Sequence, residues 1–154
     1  VKEGIATFTG VKRRFDVQES DNGYVFIDDY AHHPEELKAF ISSVKEVFPG
    51  KLITGIFQPH LYSRTRDFAE GFGNSLSLLD ELFLLDIYPA REEPVPGITS
   101  DTILEKVKIK NKKVYKKDDL LNVIKTRKPE VLLTMGAGDI DQLVKPILNI
   151  VKKF

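Results

Sequence analysis

The sequence predicts an α/β fold in three layers, a mostly parallel sheet with helices on both faces and an N-terminal β-hairpin. Three observations carry this expectation. Short apolar runs alternate along the chain with segments of helical periodicity, turn residues separate the two kinds, and one alternating strand at the start runs into an Asn-Gly turn. Strands joined through helices need right-handed crossovers, which make them parallel and bury both faces of their sheet.

The elements follow in order. From Val11 to Gln18 the residues alternate, with Val11, Arg13, Phe15 and Val17 on one face and Lys12, Arg14, Asp16 and Gln18 on the other. Ser20, Asp21, Asn22 and Gly23 then supply a hairpin turn, because Asn-Gly tolerates the positive φ of a tight turn, and Tyr24 to Ile27 is the returning strand. Pro34 to Phe48 is a helix. Leu37, Phe40, Ile41, Val44, Val47 and Phe48 share one stripe, Pro34 suits the first helical position, and Glu35 and Glu36 face the positive end of the helix dipole. Pro49 and Gly50 stop it. Lys51 to Phe57 is a strand, and Phe68, Phe72, Leu76 and Leu79 mark a helix weakened by Gly71 and Gly73. Glu81 to Ile87 is a strand, Thr99 to Val107 a short helix capped by Thr99 or Ser100, Lys113 to Tyr115 an edge strand, and Asp118 to Thr126 a helix. Val131 to Met135 is a buried strand. The last helix carries Ile140, Leu143, Val144, Ile147, Leu148 and Val151 on one stripe and is expected to kink at Pro146.

Composition narrows the function. A chain of 154 residues with 42% hydrophobic content fits one domain with one core. The 23 basic and 23 acidic residues cancel, so the charge balance of a nucleic-acid or membrane-surface protein is missing. Zero cysteines exclude a disulfide framework, a thiolate metal site and a cysteine nucleophile. No apolar run approaches the length of a membrane span and no leader pattern opens the chain, so a soluble, cytoplasmic protein is expected. Val1 stands where a methionine would begin a complete chain, and the sole methionine is Met135, which makes a piece of something longer the expectation.

Ligands of parallel sheets bind beyond the carboxyl ends of the strands. The residues that follow Ile27, Phe57, Ile87 and Met135 are therefore the candidates. After Ile27 come Asp28, Asp29, Tyr30, Ala31, His32, His33 and Pro34, delivered onto a helix N-terminus. A carboxylate there can accept ribose hydroxyls, a tyrosine ring can lie against a base, and imidazoles can donate to phosphate or carboxylate oxygens. The plainer reading is that the aspartates end a strand and His33 caps a helix. After Phe57 the run Gln58-Pro59-His60-Leu61-Tyr62-Ser63-Arg64-Thr65-Arg66-Asp67 offers guanidinium forks suited to carboxylates and phosphates. Arg66, beside Asp67 and Glu70, reads as a surface charge partner, whereas Arg64 is the better ligand candidate. Arg14 shares a face with Lys12 and is directed to solvent or a ligand. His32, His33 and His60 are spaced for none of the common zinc motifs, so no metal site is expected. Gly136-Ala137-Gly138-Asp139 has half of a dinucleotide fingerprint but lacks the third glycine and comes last in the sheet, which favours tight strand-to-helix packing. The proline-rich stretch from Tyr88 to Gly97 is long for a connection and suits a lid or an interface. The chain contains no P-loop, so it cannot cradle a triphosphate alone.

Taken together, Phe8-Thr9-Gly10-Val11-Lys12-Arg13-Arg14-Phe15, Asp28-Asp29-Tyr30-Ala31-His32-His33-Pro34, Gln58-Pro59-His60 with Ser63-Arg64-Thr65-Arg66-Asp67, and Met135-Gly136-Ala137-Gly138-Asp139-Ile140 resemble the C-terminal domain of a Mur ligase. The resemblance covers nearly the whole chain, in order. It implies a Rossmann-like third domain, residues 1–154, of a three-domain cytoplasmic enzyme of peptidoglycan synthesis, without the N-terminal UDP-sugar domain and the central P-loop ATPase. The branch it most resembles phosphorylates the carboxylate of UDP-N-acetylmuramate with ATP and Mg2+, and L-alanine then attacks the acyl phosphate. By the same resemblance Asp29 and Tyr30 contact ribose and adenine, Arg14 the nucleotide side of the closed cleft, and His32, His60 and Arg64 the incoming amino acid. No catalytic group is expected on this part alone, and it is expected to be inactive by itself. Leu61 departs from the arginine that many relatives carry after Gln-Pro-His.

Three alternatives stay open on the sequence. A recycling ligase that adds a tripeptide to the same sugar shares the Asp-Asp and His-His-Pro pattern. A free-standing Rossmann-like binder of NAD or another nucleotide would use the glycines near Gly136. A scaffold domain without a ligand would fit the neutral charge and the long proline loop.

Overall fold

A computed structural model describes residues 11–21 and 23–154. Six strands form one sheet: β1 (Asp16–Asp21), β2 (Tyr24–Asp29), β3 (Ile53–Phe57), β4 (Glu81–Leu85), β5 (Asn111–Tyr115) and β6 (Val131–Met135), in the spatial order β1-β2-β6-β3-β4-β5. Only β1 is antiparallel to its neighbour, so the opening hairpin and the mostly parallel sheet stand as expected. The helices are α1 (Pro34–Val47), α2 (Tyr62–Asp67), α3 (Ala69–Leu76), α4 (Asp101–Leu104), α5 (Lys117–Arg127) and α6 (Asp141–Val151).

The two-residue period of a strand divides the core. Ile27, Phe57 and Leu133 pack under α1, α3 and α4 with Leu37, Ile41, Phe72 and Ile103, while their neighbours Phe26, Ile56 and Leu132 pack under α5 and α6 with Leu120, Ile124, Leu143 and Ile147. The helices after β2, β3 and β4 thus lie on one face, and the two that flank β6 lie on the other. Because β6 sits between β2 and β3, its outgoing chain turns to the opposite face from both neighbours. Two crevices result at the carboxyl edge, β2/β6 and β6/β3, where connections diverge. No helix among the described residues is long and apolar enough to cross a membrane.

Several boundaries differ from the expected ones for local reasons. The strand expected from Val11 begins at Asp16, because Arg13 and Phe15 take positive φ values of 59° and 46°. Carboxylates hold that loop: Asp16 accepts from the Arg13 N–H at 3.1 Å and Asp29 from the Phe15 N–H at 2.7 Å. The helix expected over 68–79 is the shorter α3, and a separate helix, α2, precedes it; the two meet at Phe68, whose φ of −117° breaks the backbone spiral. Helix α4 is shorter than the expected Thr99–Val107. Pro146 lies inside α6. The resemblance-bearing residues 8–10 and the turn residue Asn22 fall outside the described part.

Candidate functional site

The site begins with the paired aspartates at the end of β2. Strand alternation sends them to opposite faces of the sheet. Asp28, 1% exposed, accepts from the Thr134 hydroxyl at 2.6 Å and from Arg13 Nε at 3.0 Å. Asp29 accepts the Phe15 N–H on one oxygen and the Ala31 N–H, at 2.8 Å, on the other. Burial pushes the Asp29 carboxyl above the usual range, against the pull of those two N–H groups and of the Arg14 charge. Asp29 therefore shapes the loop that carries Arg13, Arg14 and Tyr30, and each of its oxygens keeps a further lone pair. Arg14 itself is exposed, on the same loop.

Arg13, which the alternation pattern left unassigned, ties this edge together. Its backbone carbonyl accepts the Tyr30 N–H at 2.7 Å, its Nη2 donates to the Gly136 carbonyl at 2.7 Å, and its guanidinium lies 5.1 Å from the centre of the Tyr30 ring. The β2/β6 crevice is filled by this side chain. The β6/β3 crevice is filled by Gln58, whose Nε2 donates to Asp139 at 2.8 Å and whose Oε1 accepts the Ile140 N–H at 2.9 Å. Lys117 also donates to Asp139. A Cβ on Gly138 would stand 2.5 Å from Gln58 Oε1 and 2.7 Å from Tyr88 Cβ, and one on Gly136, at φ 144°, 2.8 Å from the Gln58 carbonyl. The glycines thus make room for protein atoms, which accords with strand-to-helix packing.

Beyond Tyr30 the polar side chains form a continuous row. The Tyr30 and His32 rings are 5.1 Å apart edge-on, His32 and His60 are 6.3 Å apart, and Arg64 Nη1 is 3.5 Å from His60 Nδ1. His33 turns the other way, 4.7 Å from Phe68. The two histidines are set by the start of α1, where Glu36 accepts the backbone N–H groups of His32, at 3.0 Å, and His33, at 3.2 Å. Partial burial opposes ionisation of Glu36, but those N–H groups and the His32 ring outweigh it and hold the carboxyl below its usual range. His32 Nδ1 also lies 3.0 Å from the Tyr30 carbonyl.

His60 follows Gln58 and Pro59 at the end of β3, and its ring stacks on Tyr88 at 5.7 Å. Burial, the Arg64 charge and His32 push its titration below the usual histidine range, while Glu92 pulls weakly the other way. The ring is neutral at pH 7, so its Nδ1 lone pair can accept from the Arg64 guanidinium. Among the described residues Arg64 has no carboxylate within ion-pair distance, whereas Arg66 pairs with Asp67 at 2.7 Å and Glu70 with Lys106 at 2.8 Å. An unpaired, half-buried guanidinium beside a neutral imidazole is suited to a carboxylate ligand. Asp29, Tyr30, His32, His60 and Arg64 are thus brought to one edge, as expected from sequence. Arg13, Gln58 and Tyr88 were missed. The Gln58-Pro59-His60 run at a strand end was the available signal for Gln58; Arg13 and Tyr88 act through long-range packing that no local pattern carries.

No three His, Cys, Asp or Glu side chains converge as metal ligands among the described residues.

The sequence model of the Mur ligase family, described as its glutamate ligase domain, matches residues 13–138. A UDP-N-acetylmuramate–L-alanine ligase of Parabacteroides distasonis is 58% identical over 153 residues, 99% of this chain and 33% of that protein. The enzyme of the same name from Flavobacterium johnsoniae is 50% identical over 147 residues, 96% of this chain and 33% of its own length. The solved UDP-N-acetylmuramate-alanine ligase of Thermotoga maritima is similar with a TM-score of 0.77 and 29% identity, over 98% of this chain and 32% of that one. A murein peptide ligase of Psychrobacter arcticus shares the fold with a TM-score of 0.74 at 18% identity, over 99% of this chain and 32% of that one. The chain spans about a third of the length of the curated relatives it matches.

Proposed function

The chain belongs to the Mur ligase family, matching its glutamate ligase domain, and from that membership we propose that residues 1–154 are the C-terminal, amino-acid-binding and cleft-closing domain of the cytoplasmic ligase that joins L-alanine to UDP-N-acetylmuramate. In this reading ATP phosphorylates the sugar's carboxylate, the alanine amine adds to the acyl phosphate, and the tetrahedral intermediate expels inorganic phosphate. The UDP-sugar site and the phosphate-cradling loop belong to the remaining length of the protein.

The observation that carries the reading is the row from Tyr30 through His32 and His60 to Arg64, which ends in a guanidinium without a carboxylate partner among the described residues. Arg64 takes the alanine carboxylate, while His32 and His60, the latter kept neutral by burial and the Arg64 charge, border the amine. Tyr30, Asp29 and Arg14 form the nucleotide end: the half-exposed Tyr30 ring, backed by Arg13, offers a flat surface to adenine, Arg14 offers an exposed charge, and Asp29 holds the loop and accepts from ribose through its remaining lone pairs. Closure of this edge over the ATPase would exclude water from a hydrolysable acyl phosphate. Magnesium, which neutralises phosphate charge when bound with ATP, finds no built site among the described residues. Its ligands are assigned to ATP and the rest of the protein. Without a P-loop, residues 1–154 alone are inactive.

The test is phosphate release by the full-length protein with ATP, Mg2+ and UDP-N-acetylmuramate, with L-alanine in one arm and a free tripeptide in the other. Turnover with L-alanine only is expected. Turnover with the tripeptide only would transfer the domain to the recycling ligase, and turnover by residues 1–154 alone would overturn the division of labour.

A further inference from the structure

The proline-rich stretch after β4 is bonded to the loop that bears His60 and Arg64 at four points. The Tyr88 N–H donates to the Pro59 carbonyl at 2.8 Å, the Leu61 N–H donates to the Tyr88 carbonyl at 3.0 Å, the Tyr88 ring stacks on His60, and Glu92 reaches Ser63. The last contact is double. The Glu92 carboxylate accepts the Ser63 N–H at 3.0 Å on one oxygen and the Ser63 hydroxyl on the other.

These contacts answer a local defect. Helix α2 starts after Leu61, a residue with no side-chain acceptor for the first N–H groups of the helix and with a φ of 73° that only glycine adopts freely. An ordinary helix would carry Ser, Asp or Asn at that position. Here the acceptor comes from 29 residues further along the chain. Arg64 directly follows Ser63, so whatever fixes the first turn of α2 also fixes the root of the guanidinium. Hydrogen bonds from Ser63 keep the Glu92 carboxyl below its usual range, so it is ionised at neutral pH and able to accept both. Both Glu92 carboxylate oxygens are engaged by Ser63.

We propose that Glu92 is a positioning residue for amino-acid recognition, clasping α2 through Ser63 so that Arg64 stays beside His60, and that the proline-rich stretch is a fixed strut instead of a lid. The inference rests on the reading of Arg64 as the carboxylate ligand.

Two measurements on the full-length protein test it, one of them independent of activity. In hydrogen–deuterium exchange, Glu92→Ala should speed exchange of the 61–64 amides at least tenfold, and Glu92→Gln, which can still accept the Ser63 N–H, should speed it less. In kinetics, Glu92→Ala should raise the KM for L-alanine about tenfold with the KM for ATP unchanged, and Glu92→Gln should restore most of the loss. Unchanged exchange in Glu92→Ala overturns the clasp. Faster exchange with an unchanged KM for L-alanine, or an equal rise in both KM values, overturns the recognition role. Should Glu92→Ala not fold, Ser63→Ala, which leaves the backbone N–H in place, must still show a smaller rise in the KM for L-alanine alone. A wild-type protein that uses no L-alanine counts against the ligase reading, and the exchange arm still decides the clasp.

Discussion

Arg13 donates from Nε to the buried Asp28 carboxylate across 3.0 Å, and with its Nη2 on the Gly136 carbonyl it seals the β2/β6 crevice. Removing the guanidinium leaves a buried charge with one hydroxyl donor, Thr134. Arg13→Ala should therefore destabilise the chain by about 2–3 kcal/mol, below the full cost of a severed buried pair because the Arg13 side chain is 22% exposed. Urea unfolding measures this. In a double-mutant cycle with Asp28→Asn the two losses should be clearly less than additive, and additive losses would mean that the pair is not coupled.

Asp29 yields a prediction with the opposite pH sense from a salt-bridged carboxylate. Its proton is held more tightly in the folded chain than in the unfolded one, chiefly because of burial. The associated stability is fully present below the ordinary aspartate value of 3.8 and is lost as the pH rises through the raised folded value. Glu36 runs the other way: its lowered carboxyl adds stability above the ordinary glutamate value of 4.5, lost as the pH falls. The difference in unfolding free energy between wild type and Asp29→Asn should therefore fall as the pH rises from about 3.8. At neutral pH the variant is still expected to be less stable, by about 1–3 kcal/mol, since an amide NH2 would face either the Phe15 or the Ala31 N–H. A difference that stays flat across that window would remove burial as the dominant influence on Asp29.

The order of strands and helices was legible because period-2 and period-3.6 patterns are local. Phe57 and Met135 end their strands where the apolar runs stop, and β2 runs only to Asp29 beyond its apolar Ile27, so the edge that carries His32, His60 and Arg64 was also legible. What the chain hides is long-range. The alternation from Val11 to Phe15 mimics a strand, yet the Asp29 carboxylate, from the next strand, stabilises the loop that replaces it. Alternation puts Arg13 and Arg14 on opposite faces, but that Arg13 reaches Asp28 and the Gly136 carbonyl is set by long-range packing that the pattern does not carry. The half-fingerprint Gly136-Ala137-Gly138 invites a nucleotide reading, yet the close approach of Gln58 and Tyr88 already accounts for the two glycines.

Glycine substitutions separate backbone demand from contact. Gly50, at φ 77°, has open space around its missing Cβ, so Gly50→Ala should cost about 1 kcal/mol through backbone strain alone. Gly138→Ala should cost about 1–3 kcal/mol by forcing Gln58 and Tyr88 aside. Because Tyr88 carries the His60 ring, Gly138→Ala should also raise the KM for L-alanine in the full-length protein, whereas Gly50→Ala should not. Thermal melts paired with initial rates distinguish the two. Equal effects on KM would break the link from Gly138 through Tyr88 to His60.

Arg64 is the sharpest point of the proposed chemistry. A charge-assisted bond between a guanidinium and a carboxylate contributes about 1.5–3 kcal/mol, so Arg64→Ala should raise the KM for L-alanine roughly 10- to 100-fold. Arg64→Lys keeps the charge but loses the planar fork and should recover only part of that loss. The same variants also free the His60 ring from the guanidinium 3.5 Å away, which lies after burial among the causes of its lowered titration. Any limb of the pH–rate profile that belongs to His60 should therefore move to higher pH in Arg64→Ala. A KM that stays constant while that limb moves would leave Arg64 as a neighbour of His60 and take away its role as the carboxylate ligand.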